Sequence, residues 1–152
     1  MNFFETLLFI QKAHSGATDK AGVPYWTHPY RVAGYGLDAY PNLTEEELNA
    51  YLLHDVVEDT HYTAQDLIDM GFSDETVDAV MLVTKEPKPR KLNYMDWIRF
   101  IAESGNNLAI RIKLADIRDN SDPVRIAQLR YKDRGIVGKY VEAEQILRKA
   151  LR

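Results

Sequence analysis

The sequence of 152 residues contains no cysteine. This absence excludes disulfide bonds, thiolate metal sites and a cysteine nucleophile. Long hydrophobic runs are also missing, since the longest, such as residues 7–10 and 79–83, are far too short to cross a bilayer. The first residues, Met1–Glu5, lack the basic start of a secretory signal peptide. We therefore expect one cytoplasmic domain over residues 1–152, because single domains typically have about 100–200 residues.

The net charge is −4, but the charges are unevenly distributed. Residues 1–84 carry 3 basic and 14 acidic side chains, whereas residues 85–152 carry 16 basic and 9 acidic ones. Such asymmetry can indicate a nucleic-acid-binding surface. No nucleic-acid-binding motif accompanies the basic half, so two differently charged faces of one domain are the favoured interpretation. We expect neither a nucleic acid nor a membrane as partner, and the sequence leaves the oligomeric state open.

Helical periodicity runs through nearly the whole sequence, and no alternating β pattern of useful length occurs. Residues of the N-cap type predict helix starts at Thr44, Thr63, Ser73 and Asn93, and the first two begin capping boxes. Apolar residues cover most faces of segment 108–117, which predicts a central helix. The predicted fold class is all-α, with seven or eight helices.

Two predicted helices are long. One begins at Thr44 and continues through His54-Asp55 as far as Asp59. The other begins at Asp122-Pro123, where proline suits the first turn of a helix, and includes the rest of the chain.

Polar residues within apolar helices are candidates for a functional site, because burying them costs about 1–3 kcal/mol unless a partner compensates. His54 and Asp55 interrupt an apolar stretch, and Glu58 and Asp59 follow on the same predicted helix. At a spacing of four, His54 and Glu58 share one helix face, and so do Asp55 and Asp59. Three carboxylates beside one imidazole repel each other unless a proton or a cation neutralises them. A divalent metal suits this set of ligands.

Two further residues are candidate metal ligands, and each has an alternative interpretation. His28 precedes Pro29 at a predicted helix start, where it is either a ligand or a hydrogen-bonded structural histidine. Asp116 closes an apolar segment and is either a ligand or an ion-pair partner of Arg118 or Lys113. From the residues alone, both alternatives stay open.

Several segments resemble the HD-domain hydrolases of the RelA/SpoT type. They are AHSG at 13–16, DKAGVPYWTHP at 19–29, RVA at 31–33, LLHDVVEDT at 52–60, VTK at 83–85 and KLAD at 113–116, followed by Asn120. Their order and spacing agree with the family from about residue 8 to residue 121. The chain is also close in size to the stand-alone small alarmone hydrolases. The resemblance therefore implies a single HD-domain helical bundle.

The resemblance also implies a site and a reaction. A divalent metal, usually manganese in this family, would be held by His28, His54, Asp55 and Asp116. The family reaction removes the 3′-pyrophosphate of guanosine tetra- or pentaphosphate by attack of water. The residues that match the water-handling pair of the family are Glu58 and Asp59. The residues that match its substrate contacts are Lys20, Asn120 and Tyr140.

Asp19 departs from the family pattern, which usually has an arginine that packs on the guanine base. A carboxylate cannot stack as a guanidinium does, although it can accept hydrogen bonds from a base edge or a ribose. One alternative is therefore a phosphatase for another nucleotide or dinucleotide. A catalytically idle nucleotide-sensing domain is the alternative from a different class. The basic segment Lys85–Lys91 is expected either to guide a polyphosphate or to be a solvated loop.

Overall fold

The computed structural model describes residues 1–85 and 92–152, and over these ranges the fold is all-α, as predicted. The helices are α1 (Phe3–Ala13), α2 (Thr27–Ala39), α3 (Glu45–Leu53), α4 (Val56–Asp59), α5 (Ala64–Asp69), α6 (Asp74–Leu82), α7 (Tyr94–Glu103), α8 (Asn107–Asn120), α9 (Pro123–Ala127) and α10 (Ile136–Ala150). A short 3₁₀ helix, Tyr131–Asp133, separates the last two. Apart from Lys85, the basic segment at 85–91 lies outside the described residues. None of the described helices is both long and apolar enough to cross a membrane.

Local capping determines where several helices begin. Thr44 and Thr63 each form a capping box, exchanging hydrogen bonds with the residue three positions later. The side chains of Ser73 and Asn93 accept hydrogen bonds from the first turns of α6 and α7. All four predicted helix starts are confirmed.

The helix predicted from Thr44 to Asp59 is divided in the structure, and that prediction was wrong. α3 ends at Leu53, a turn holds His54 and Asp55, and the four-residue α4 begins at Val56. The ring of His54 hydrogen bonds back to the last turn of α3, because its Nδ1 lies 2.8 Å from the carbonyl oxygen of Tyr51. The helix-face argument for His54 and its neighbours therefore does not hold, and the turn positions their side chains instead.

The long C-terminal helix is also divided. Asp122 caps α9 and Pro123 occupies its first turn, as predicted, but α9 ends at Ala127. No residue of α9 is buried, so packing does not hold the chain helical through this segment. The two divided helices explain why the described residues form ten α-helices where seven or eight were predicted.

α8 is the central helix, as its apolar pattern predicts. It packs against α2, α3, α6, α7, α9 and α10, and nine of its fourteen residues are buried. Each fully buried isoleucine or leucine contributes about 1.5–3 kcal/mol to stability. Because α2 and α3 also pack on each other, the start of α2, the end of α3 and the second half of α8 come together. The assignment of residues 1–152 to one domain stays a prediction.

Candidate metal centre

Four predicted ligands meet where these three helices come together. His28 is the second residue of α2, His54 and Asp55 lie in the turn after α3, and Asp116 lies on α8. Nε2 of His28 lies 2.9 Å from Oδ1 of Asp116 and 3.5 Å from Oδ2 of Asp55. Nε2 of His54 lies 3.2 Å from Oδ2 of Asp55 and 3.5 Å from Oδ1 of Asp116. We call these four residues the metal cluster.

Both histidines use Nδ1 to bind the protein and direct Nε2 into the metal cluster. Nδ1 of His54 donates to the carbonyl oxygen of Tyr51, because a carbonyl can only accept. Nδ1 of His28 lies 2.6 Å from a carboxylate oxygen of Asp119. Nε2 of His54 is buried and has no hydrogen-bond partner among the described residues. Such an orphaned nitrogen facing two carboxylates is what a metal ligand requires.

The donor set fits a divalent metal ion, because imidazole nitrogens and carboxylate oxygens are both common ligands of such ions. Adjacent ligands of an octahedral ion with bonds of about 2.1 Å lie about 3.0 Å apart. The four separations run from 2.9 Å, close to that spacing, to 3.5 Å, which is somewhat longer. Ligand atoms of His28, His54 and Asp116 also lie within 4.8 Å of one another. These donors do not distinguish one divalent metal from another, so manganese stays a prediction.

The histidines and the carboxylates of the metal cluster shift each other's pKa. Burial lowers the pKa of both His28 and His54, but the facing carboxylates raise it more, so both histidines have a pKa above the ordinary value. Burial raises the pKa of Asp55, but His54 lowers it more, and the net pKa is below the ordinary value. A divalent cation can replace these histidine protons as the positive partner of the carboxylates.

The second oxygen of Asp116 is bound by a buried lysine. Nζ of Lys113 lies 2.7 Å from Oδ2 of Asp116, while Nδ2 of Asn120 donates to Oδ1 at 3.1 Å. The ion pair with Lys113, one of the two alternatives for Asp116, is therefore present. It does not compete with the metal cluster, because it uses the other oxygen. Arg118 instead pairs with Asp38 at 2.9 Å.

Asp119 was not among the predicted site residues, although only 1% of its surface is exposed. Its Oδ2 accepts hydrogen bonds from His28 and Arg125, and Arg31 donates to both of its oxygens. Burial raises the pKa of Asp119, but the hydrogen bonds from His28 and Arg31 lower it more, and the carboxylate stays ionised. The spacing of three from Asp116 on one helix was a usable signal. The decisive contact with His28 spans 91 residues and leaves no local pattern.

Two adjoining chambers open beside the metal cluster. The inner chamber has a volume of about 260 Å³ and includes all four cluster residues, Glu58 and Lys113 in its lining. The outer chamber has a volume of about 350 Å³ and includes Lys20, Arg125 and Asp133 in its lining. Both chambers are lined by Tyr25, Asn120, Ile136 and Tyr140. The predicted substrate contacts, Lys20, Asn120 and Tyr140, therefore all face the outer chamber.

The two predicted water-handling carboxylates differ in position. Glu58 lines the inner chamber, and its Oε1 accepts a hydrogen bond of 2.6 Å from the backbone nitrogen of Lys85. Burial raises the pKa of Glu58. Asp59 lines neither chamber, and burial together with Asp55 and Glu58 raises its pKa to about 6. Of the two, Glu58 is the carboxylate that faces the metal cluster.

Asp19 shapes the loop that leads into α2. Its Oδ1 accepts hydrogen bonds from the backbone nitrogens of Ala21 at 2.8 Å and Val23 at 3.0 Å. The neighbouring Lys20 pairs with Asp133 across the outer chamber at 3.4 Å. Part of the Asp19 carboxylate is thus used by the loop itself, and this position offers no planar cation for a base to stack on.

Comparison with known proteins establishes the family. The sequence profile of the HD domain matches residues 25–129, a range that contains the whole metal cluster. This chain belongs to the HD domain family. The matched range leaves out the whole of α1 and the whole of α10.

Relatives of this HD domain carry names that concern guanosine phosphates. The bifunctional (p)ppGpp synthase/hydrolase SpoT of Escherichia coli K12 is 36% identical over 125 residues, which cover 76% of this chain and 17% of that protein. A guanosine-3′,5′-bis(diphosphate) 3′-pyrophosphohydrolase of Vibrio cholerae is 34% identical with the same coverage. The chain thus spans about 17% of the length of these relatives.

A solved structure resembles this HD domain over nearly its full length. It is described as a metazoan ortholog of SpoT that hydrolyzes ppGpp and plays a role in starvation responses. The TM-score is 0.78 at 26% sequence identity, and the match covers 98% of this chain and 86% of that one.

Proposed function

We propose that this chain is a divalent-metal-dependent phosphohydrolase that removes pyrophosphate from the 3′ position of guanosine tetra- or pentaphosphate. The observation that carries the proposal is the metal cluster, two histidines and two aspartates at the end of a pair of chambers large enough for a nucleotide. The names of the relatives and of the similar structure support the substrate.

The residues of the metal cluster would hold the ion, for which manganese is our first choice. When bound, such an ion lowers the pKa of water and neutralises phosphate charge. Two neighbours keep the carboxylates in place for it. The hydroxyl of Tyr25 donates to Oδ2 of Asp55 at 2.7 Å, and Lys113 binds the second oxygen of Asp116. These contacts fix the direction in which each carboxylate faces.

Glu58 would accept the proton of the attacking water. It faces the inner chamber, and a raised pKa makes its carboxylate a better base near neutral pH. A positioned general base typically contributes about 10²–10⁴-fold to the rate. Asp59, next in the chain and outside the chamber lining, would act on the water network around Glu58 rather than on the substrate.

The substrate would lie across both chambers. Its 3′-pyrophosphate would occupy the inner chamber, and its nucleoside would occupy the outer one. Asn120 borders both chambers and would contact the ribose or the phosphate. Tyr140 would line the base or ribose pocket, and Lys20 would exchange Asp133 for a phosphate oxygen.

The first test compares two histidine variants in a manganese-supplemented assay of pyrophosphate release from guanosine tetraphosphate. His54→Ala removes a cluster nitrogen and should reduce the rate at least about 10³-fold, as expected when a metal-ligand position is lost. His61→Ala is the matched control, because His61 is exposed and packs on Tyr62 outside both chambers. Equal activity of the two variants would contradict the proposal. An inactive wild-type protein that still binds the nucleotide would favour a sensing domain.

Asp19 favours a second candidate, a phosphohydrolase for a different nucleotide. The test is a nucleotide panel scored separately for phosphate and pyrophosphate. Asp19→Arg should increase the preference for guanosine tetraphosphate over other nucleotides by about tenfold, equivalent to roughly 1.4 kcal/mol of added stacking. Asp19→Asn is the control, because its amide oxygen can still accept the loop hydrogen bonds. If the two variants have the same preference, position 19 does not select the base.

A further inference from the structure

We propose that Asp119 is a positioning residue that fixes the ring of His28 for the ion and that Arg31 holds Asp119 in place for this task. The inference rests on the proposed metal site and adds two residues to which the sequence motifs give no role. It follows from three features of the structure: the hydrogen bond to His28, the arginine clamp, and the difference between the two cluster histidines.

The hydrogen bond from His28 to Asp119 sets the tautomer of His28. Nδ1 of His28 lies 2.6 Å from Oδ2 of Asp119, and an ionised carboxylate can only accept. Nη1 of Arg125, which can only donate, also lies 2.7 Å from Nδ1, and both nitrogens share Oδ2 of Asp119 as their acceptor. We assign the hydrogen to Nδ1 on the basis of its shorter contact with the carboxylate, and Nε2 then keeps its lone pair for an ion once its own proton leaves. A carboxylate partner also makes the opposite nitrogen a stronger donor to a metal.

Arg31 clamps the Asp119 carboxylate from the other side. Nε of Arg31 lies 2.8 Å from Oδ1, and Nη2 lies 3.1 Å from Oδ2. Such a two-point guanidinium–carboxylate contact fixes the plane of the carboxylate. Arg31 follows His28 by three residues on α2, so one helix supplies both the ring and its clamp, and α8 supplies the carboxylate between them. Arg125 adds a further donor to Oδ2.

The two cluster histidines are held by different kinds of acceptor. Nδ1 of His54 donates to the neutral carbonyl of Tyr51, whereas Nδ1 of His28 donates to a charged carboxylate that is 1% exposed. Removing the charge at position 119 should therefore weaken one ligand of the ion and leave the other unchanged. The resulting loss is one of metal affinity, and excess metal should restore the activity.

The experiment measures Mn²⁺ binding to the full metal-free chain, without nucleotide, by titration. Asp119→Asn should raise the dissociation constant for Mn²⁺ about 10- to 100-fold, the usual effect of losing an outer-shell partner. Arg31→Gln should raise it by a smaller factor. Asp38→Asn is the matched control, because Asp38 and Arg118 also join α2 to α8, but on the surface. It should change the constant less than twofold.

Two readouts separate positioning from damage to the fold. The rate at which Asp119→Asn releases pyrophosphate from guanosine tetraphosphate should return to within about threefold of the wild-type rate when manganese is raised 100-fold, as mass action requires for a site weakened by that factor. The second readout needs no variant and therefore holds even if Asp119→Asn fails to fold. In the wild-type protein, the Nδ1 proton of His28 should give a slowly exchanging NMR signal. A fast-exchanging Nδ1 proton, or an unchanged dissociation constant in a folded Asp119→Asn, would overturn the inference. Wild-type protein that binds no Mn²⁺ would instead refute the proposed metal site.

Discussion

His28 and His54 show how single residues combine stability with reactivity at this site. Each ring is almost completely buried, and each is surrounded by carboxylates that raise its pKa in the metal-free protein. A histidine with a raised pKa stabilises the folded state at pH values below its unfolded pKa. That stability is lost as the pH rises through the folded pKa. The metal-free protein should thus be less stable in alkaline solution than near neutral pH.

The same protons should make metal binding depend on pH. An ion at the cluster must displace a proton from Nε2 of His28 and of His54, whereas Asp55 and Asp116 are already ionised. The apparent affinity for Mn²⁺ should therefore rise with pH, by up to about 100-fold per unit while both histidines stay protonated. Titrations at pH 6, 7 and 8 test this dependence, and calorimetry in buffers of different ionisation enthalpy counts the released protons. A pH-independent affinity would contradict the raised pKa of the two rings.

At the scale of the helices, the predictable features are those whose causes lie close in sequence. The caps at Thr44, Thr63, Ser73 and Asn93 depend on residues three positions away, and all were predicted correctly. The break at His54-Asp55 was not predicted, because apolar residues continue through it at helical spacing. At the break, the His54 ring contacts the nearby carbonyl of Tyr51, while His54 and Asp55 also contact His28 and Asp116, which lie far away in sequence.

Distance along the sequence also explains which residues of the candidate site were predicted. The four cluster residues and Glu58 were proposed from a polar pattern and a family resemblance, and the structure brings them together. Asp119 was not predicted, because its role depends on contacts with His28 and Arg31, which lie on a helix far away in sequence. Asp59 shares a sequence motif with Glu58, but the short α4 leaves it outside the chamber.

Close packing of α2 on α3 gives a prediction at this scale. A Cβ added to Gly36 would lie 2.6 Å from Cε1 of the buried Tyr51 ring, whereas one added to Gly34 would meet no atom within 4 Å. Gly36→Ala should therefore destabilise the fold by about 1–3 kcal/mol. Gly34→Ala, on the same helix, should be neutral or stabilise by up to about 1 kcal/mol. Urea unfolding of both variants measures the difference, and equal stabilities would show that the two helices can move apart.

At the scale of the whole molecule, the metal cluster joins parts of the chain that are distant in sequence. One ligand comes from α2, two come from the turn after α3, and one comes from the central α8. An ion bound to all four therefore links the first third of the chain to its last third. Binding to the folded state alone stabilises a protein by mass action.

Metal addition should thus raise the melting temperature. At 100 times the dissociation constant, a bound ion contributes about 2.7 kcal/mol. For a chain of this size, that corresponds to an increase of roughly 5–10 °C, at about 2–4 °C per kcal/mol. Thermal unfolding with manganese and with a chelator measures the change, which should be larger at pH 8 than at pH 6. His54→Ala should lose most of the increase, while His61→Ala should keep it; an increase that survives in both would place the ion elsewhere.

The paired chambers have a consequence for which molecules can react. The metal cluster lies in the inner chamber and Lys20 lies in the outer one. Among the described residues, the two linings share Tyr25, Asn120, Ile136 and Tyr140. A molecule that places a phosphate at the metal cluster and also touches Lys20 must extend past these shared residues. Under the proposed function, free pyrophosphate or a small sugar phosphate would reach only the inner chamber and would lack the contacts of the outer one. We therefore expect short phosphate esters to be poorer substrates than a nucleotide that occupies both chambers.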